Sequence, residues 1–279
     1  MIKYIEQADI NKKKWDVCID SSVNTRVYAN SWYLDVVAPN WSAFILDDYQ
    51  AVFPIISGEK IGVSYLYQPA FTQQLGLFTP LLITPNLVEQ FLKEVIKLFP
   101  FIQINLNSYN KTSPTFNGIS KLVNHELDLI SPYSILKKKY SKNLKRNIKK
   151  AHQAKLSIFK NLKPEALIQL FRENKGKKIS NLKDEDYHKL NRLFYKAISK
   201  RKLEVWGAYT LENNLCAAAA FIIEERRCVF LFSGTDQEAR GNGAMPYLID
   251  SFIEAHANSK SILDFEGSND NNLARFYRS

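Results

Sequence analysis

The chain has little of what several enzyme classes require. Its three cysteines, Cys18, Cys216 and Cys228, are an odd set without CxxC spacing. That excludes a disulfide framework and a thiolate zinc site and points to reduced core residues of a cytoplasmic protein. The four histidines, His125, His152, His188 and His256, stand apart from the cysteines and from one another, so no metal is expected. No GxSxG elbow, Walker loop or HExxH motif occurs, which leaves hydrolase, NTPase and zinc-protease chemistry without a foothold. No apolar run approaches the roughly 20 residues that span a bilayer, so no stable membrane insertion is expected. The opening residues, Met1 to Gln7, carry an acid and no apolar core of the kind a signal peptide needs.

What is present has the balance of a globular chain. With 279 residues, 46% of them hydrophobic and 24% charged, it is far from disorder and long enough for one large or two ordinary domains. The net charge of +10 is concentrated: nine Lys and Arg and no acid lie between Lys137 and Lys155, and the remainder is nearly neutral. In the same stretch Leu136, Tyr140, Leu144, Ile148 and Ala151 recur at helical spacing, which predicts one basic amphipathic helix over 137–155. A solvated surface would explain the cations. So would a polyanion partner, because nine cations without an interleaved acid repel each other and forgo i,i+4 pairs. Lys145, Arg146, Lys149 and Lys150 are the candidate polyanion contacts.

Before this helix the pattern predicts a strand at Lys3–Ile5, helices over Ile10–Asp20 and Thr25–Val37, and an antiparallel meander of Ser42–Leu46, Ala51–Ile56 and Val63–Tyr67. A helix over Asn86–Phe99 and strands within Phe101–Leu106 and Gly118–Leu129 follow. The run from Leu66 to Phe78 sets amides among aromatics. Tyr67, Gln73 and Gln74 would suit a pocket that orients a ligand by hydrogen bonds and stacking, or a core loop whose amides satisfy buried backbone. The second half repeats the order: a helix over Asp184–Arg201, strands Glu204–Thr210, Leu215–Ile223 and Cys228–Thr235, a helix from Gly243, and a strand Ile262–Phe265. Two domains of one α/β (α+β) kind are expected, 1–130 and 131–279.

The last fifty residues carry the functional argument. An apolar strand ending at Thr235 feeds a turn with two glycines, Gly241 and Gly243, that opens a helix. Such a turn is either a tight connection or an anion cradle, the helix offering unpaired N–H groups. A second strand then ends in Asp264 and Glu266, two acids at i and i+2 whose side chains would share a face and could share a proton or a substrate ammonium. A turn or cap bond through Gly267 and Ser268 would explain them equally. A final helix carries Tyr277, which packing beside Phe276 would also explain.

This series resembles the GNAT acyltransferase superfamily. There an Arg/Gln-x-x-Gly-x-Gly/Ala turn binds the CoA pyrophosphate, and Arg240, Gly241, Asn242, Gly243 and Ala244 resemble it with one residue fewer. Asn271, Ala274 and Tyr277 resemble the later Asn-x-x-Ala…Tyr segment, again one short. The whole chain is similar to the tandem-GNAT proteins of the FemABX-like group, through Tyr28–Tyr33, Gln73–Gly76, Asp264–Ser268 and a junction helix matched by Ser141, Arg146 and Ile148–Ala151. The resemblance implies two tandem GNAT-like domains, each a mixed, largely antiparallel sheet flanked by helices. It implies an N-acyltransferase, first of all an acetyltransferase, taking acetyl-CoA or another acyl-CoA as donor and an amine of a small molecule or peptide as acceptor. Glu266 or Asp264 would be the base, Tyr277 the proton donor to the thiolate, and the two sheet strands would splay around the thioester. Equally, it admits a Fem-type aminoacyltransferase that uses charged tRNA in peptidoglycan precursor synthesis, or a non-catalytic polyanion-binding module. In related proteins a further strand follows the last helix, so here either another element supplies that strand or the sequence stops short of it, and an edge left open would invite pairing with a second copy.

Overall fold

Helices with apolar residues every three to four positions alternate with short β-branched and aromatic strands, and both periodicities are realised. The structure, a computed structural model, describes residues 1–178, 182–267 and 271–279, with backbone alone at Lys178, Arg240, Asn271 and Asn272. The chain divides into two compact units, Met1–Lys121 and Leu122–Ser279.

In the first unit β1 (Ile2–Ile5) leads through α1 (Lys12–Ser21) and α2 (Ser31–Val37) to β2 (Ser42–Leu46) and β3 (Ala51–Ile55), and the three strands form an antiparallel sheet. The helix expected over Thr25–Val37 is shorter. A 3-10 turn covers Val27–Ala29, Asn30 is extended, and α2 restarts where Asp16 accepts from the Ser31 N–H and hydroxyl at 2.8 and 2.7 Å. The expected meander also divides. β4 (Ser57–Lys60) occupies a stretch that reads as a connection and pairs with β5 (Val63–Tyr67) in a second sheet, to which β6 (Phe101–Gln103) adds in parallel after α3 (Pro85–Leu98). Ile61 and Gly62 both have positive φ, 53° and 71°, the requirement of a two-residue hairpin turn.

The second unit begins with β7 (Asn124–Asp128), a strand that a boundary at residue 130 would leave in the first. Then come α4 (Tyr133–Lys138), α5 (Lys142–Gln153), β8 (Ser157–Phe159), α6 (Pro164–Glu173) and α7 (Asp184–Ser199). The order closes with β9 (Leu203–Tyr209), β10 (Leu215–Ile223), β11 (Arg227–Thr235), α8 (Ala239–Asn242), α9 (Ala244–His256), β12 (Ile262–Gly267) and α10 (Asn271–Tyr277). One six-stranded sheet has the order β7-β12-β11-β10-β9-β8, antiparallel at every pair except β11 with β12. The edge of β12 is therefore covered by β7, so another element of the chain supplies that strand.

The basic helix is two helices. Ser141 accepts from the Leu144 N–H at 3.1 Å and so starts α5 afresh after α4. Its apolar stripe holds across the break: Leu136, Ile148 and Ala151 are buried, Tyr140 and Leu144 half-buried. In the core Phe221 stacks on Phe252 at 3.7 Å and Trp206 meets Phe252 edge-on at 5.4 Å, which fixes α9 to the sheet. All three cysteines are buried, and burial pushes each thiol up to about 11. Among the described residues no helix is long and apolar enough to cross a membrane, and no group of three potential metal ligands is present.

Candidate active site

The glycine turn is more occupied than an anion cradle would be. A one-turn helix, α8, precedes α9, and in it the N–H groups of Gly241 and Asn242 donate to Glu238 O at 2.9 and 3.1 Å. Gly243 N–H donates to Ala239 O at 3.2 Å, and Ala244 N–H to Asn242 Oδ1 at 3.0 Å. Pro246, third in α9, has no N–H to offer. A pyrophosphate at this turn would compete with these bonds for the four N–H groups. The Arg240 side chain lies outside the described atoms.

Gly243 has a different reason to be glycine. Its φ is 78°, and a Cβ there would lie 2.2 Å from the Asn147 carbonyl oxygen on α5. The residue lets α5 pack against the start of α9. Gly243→Ala should therefore cost about 2–4 kcal/mol, combining left-handed strain of roughly 1–2 kcal/mol with displacement of α5. Thermal unfolding would show this, whereas Gly241→Ala, with open space around it, should melt within a degree or two of wild type.

At the acidic strand the structure separates the two carboxylates. Asp264 is fully buried and held by Arg227, whose Nη1 donates to its Oδ2 at 2.6 Å and to Glu126 Oε1 at 2.7 Å. Asn124 Nδ2 and the Glu266 N–H both donate to Asp264 Oδ1, at 3.2 and 2.9 Å. Burial opposes charge on Arg227, but Asp264 and Glu126 outweigh it and hold the guanidinium pKa above its usual value. With its acceptors spent on strand-to-strand bonds, Asp264 is a framework residue rather than a base. The i,i+2 alternation fails at Glu266, which adopts left-handed φ (62°) within a register shift between β12 and β7. Ser268 lies outside the described residues.

Glu266 and Tyr277 remain together. Burial, and then the charge of Glu266, raise the Tyr277 phenol pKa, keeping it protonated. The ring stacks on Phe265 at 5.0 Å and lies 5.9 Å from the ring of His125. Among the described residues the parallel register of β11 with β12 runs over Arg227–Val229 and Ile262–Asp264, at the start of β11.

Tyr277 opens onto a cavity of about 610 Å³ in the second unit. Leu136 and Leu144 from the basic helices, Ile249 and Ile253 from α9, and Phe265 from β12 supply apolar walls. Three polar groups face it that the sequence did not single out for this role: His125, Tyr140 and Asp250. The signal for Asp250 was an acid flanked by Leu248, Ile249, Phe252 and Ile253, the apolar positions of α9. For His125 there was none.

The nine cations of α4, α5 and their flanks are all exposed. Among the described residues no carboxylate pairs with any of them. Lys145 Nζ donates to Lys138 O and Arg146 Nη2 to Asn143 Oδ1.

In the first unit the amides at Leu66–Phe78 work inward. Gln74 is buried, donates to Gln73 Oε1 at 2.7 Å and accepts from the Ser108 N–H at 3.3 Å, while neighbouring Gln68 bonds Thr72 O and the Asn105 N–H. Tyr67 is exposed along one side, and burial of the other raises its pKa, with Tyr65 adding to the shift. Gln74 thus serves the loop, while Tyr67 and the half-buried Gln73 keep some surface.

No protein-family model matches the chain, and no curated protein matches it in sequence. Solved structures do match in shape. FemX superposes with a TM-score of 0.64 at 10% identity, covering 99% of this chain and 93% of that one. A conserved protein of unknown function from Bacteroides thetaiotaomicron gives 0.63 at 11%, covering 99% and 94%. L-PGS from Bacillus licheniformis gives 0.55 at 11%, covering 93% and 77%. The chain shares the fold of FemX: two α/β units with mixed, largely antiparallel sheets flanked by helices.

Proposed function

We propose that the protein is an acyltransferase that takes an aminoacyl group from charged tRNA and passes it to an amine of a peptide or small molecule. The observation that carries the choice of donor is the set of nine exposed, unpaired cations on helices that also wall the cavity. Polyphosphate chains bind such surfaces by counterion release. The filled glycine turn weighs against CoA in the same comparison. Full-length likeness of fold to FemX supports the Fem-type reading, and makes a peptidoglycan precursor the first acceptor to try.

In this reaction the acceptor nitrogen forms a bond to the ester carbonyl carbon and the carbon–oxygen bond to the tRNA ribose breaks. The nitrogen gives up one proton and the departing oxygen gains one. Tyr277, held protonated beside Glu266, suits the second transfer, and Glu266 is the candidate for the first.

A second reading keeps acyl-CoA as donor, because a splay of β11 from β12 beyond their parallel register would admit a thioester arm. One experiment separates them: thermal unfolding with bulk charged tRNA and with acetyl-CoA at low and high salt, followed by transfer of a labelled amino acid to peptide amines. At about 100 times the dissociation constant a ligand stabilises by roughly 2.7 kcal/mol, a shift of several degrees. A tRNA shift that high salt abolishes, with label transferred, is the expected result. A shift with acetyl-CoA alone would install the second reading, and binding of tRNA without transfer to any amine would leave a polyanion-binding module.

A further inference from the structure

The cavity beside Tyr277 contains an unbalanced charge. Asp250 lies in the middle of α9 and is only 4% exposed, yet among the described residues no cation pairs with it. Its bonds come from one group: the Tyr133 hydroxyl, 3.0 Å from each carboxylate oxygen. A carboxylate accepts about four hydrogen bonds, and one left in an apolar wall without a counter-charge costs several kcal/mol.

Two further polar atoms in the same cavity are unsatisfied. The Tyr140 hydroxyl is buried and makes no hydrogen bond of good geometry; burial first, then the charge of Asp250 and a loose hydrogen bond to it, raise its pKa. His125 is only 9% exposed, and its Nε2 is buried without a partner. Buried polar atoms are nearly always satisfied. Two such atoms, beside a carboxylate bonded by a tyrosine hydroxyl and by no cation, mark where a ligand supplies what the protein withholds.

The charge identifies the ligand. Lys139 and Arg278 also line the cavity but neither pairs with Asp250, so beside that carboxylate an anion would be placed unfavourably and a neutral hydroxyl would leave it uncompensated. An alkylammonium has three donors, enough to reach the free positions on Asp250 and the Tyr140 oxygen, and tyrosine rings beside it add cation–π attraction. Leu136, Leu144, Ile249 and Ile253 offer the apolar wall along which its chain would lie. We propose that this cavity is an amine-binding subsite, taking a protonated primary amine on an apolar chain with Asp250 as its counter-ion. It rests on the acyl-transfer reading only for its use, which would be to hold the amino group of the aminoacyl residue being transferred.

The test is binding of free amines to the intact protein by calorimetry, with no tRNA present. Hexylamine and lysinamide should bind saturably, and 1-hexanol, equal in length and uncharged, at least about tenfold more weakly. Asp250→Asn keeps the size and an acceptor for Tyr133 and should weaken the amines by about tenfold or more. Tyr140→Phe removes only a loose contact to Asp250, so it should fold with little loss of stability and bind the amines about threefold more weakly. Equal binding of hexanol and hexylamine, or no binding of either amine, overturns the subsite even if Asp250→Asn fails to fold. Undiminished amine binding in a folded Asp250→Asn protein does the same. Amines that bind while tRNA-dependent transfer fails would keep the subsite and remove only the use assigned to it.

Discussion

Replacing Arg227 by Met should lower stability by about 3–5 kcal/mol, the cost of leaving a buried charge without its partner. Arg227 has 13% of its side chain exposed and Asp264 none, so solvent cannot take over the neutralisation. Glu126 on β7 would lose the same guanidinium, placing two carboxylates beside each other at the junction of β7, β11 and β12. For a unit of this size the loss corresponds to a fall in melting temperature of roughly 10 °C or more. The double variant Arg227→Met, Asp264→Leu should recover most of it, because an apolar pair of similar volume often replaces a buried ion pair at little cost. If Arg227→Met melts as wild type does, the pair is not what holds this corner. If the double variant is no better than the single, Glu126 rather than Asp264 is the charge that Arg227 balances. Asp264→Asn, read for both melting temperature and transfer, decides the role of Asp264. A catalytic base changed to Asn would lose transfer at unchanged stability, whereas a framework residue would lose stability first.

That ion pair shows where sequence reading reaches and where it stops. α3, α7 and α9 were legible because each buries a face at helical spacing over three turns or more, and local signals mark their ends: Thr84 caps α3, and Pro85 starts it. β10 and β11 were legible as long apolar runs buried on both faces. What failed was either non-local or decided by a single residue. Arg227 reads as the last residue of a turn, and only the parallel register of β11 with β12 brings it to Asp264. β7 closes the sheet edge from a position far upstream, which no pattern near Ser279 announces. Ser141 divides the basic helix by one hydrogen bond without disturbing its apolar stripe, so periodicity continues straight through the break. The glycine turn was correctly read as strand, turn and helix, but whether its N–H groups are free depends on the left-handed conformation of Gly243 and the extra turn of α8. Asp250, His125 and Tyr140 lie on three different elements, and burial without partners is a property of the folded state alone.

The four-cation variant Lys145→Glu, Arg146→Glu, Lys149→Glu, Lys150→Glu should weaken tRNA binding more than a hundredfold at low salt, and it should scarcely change stability. All four side chains are exposed, and the bonds they make are a surface contact to Lys138 O and one to Asn143 within α5. Surface contacts of this kind are worth well under about 1 kcal/mol each. Their effect on RNA is larger because each contact with a phosphate releases a counterion. Removing four should reduce the slope of log affinity against log salt by about 3, and the reversed charges add repulsion. Net charge alone could lower RNA affinity, so the comparison is Lys13→Glu, Lys60→Glu, Lys111→Glu, Lys121→Glu, which makes the same change at four exposed positions of the first unit. Filter binding at several salt concentrations reads both. If the helix variant loses affinity and slope while the control keeps most of each, the α5 surface is the RNA contact. Equal losses would reduce the basic helix to its share of the overall charge, and undiminished binding in the helix variant would remove the argument for a tRNA donor.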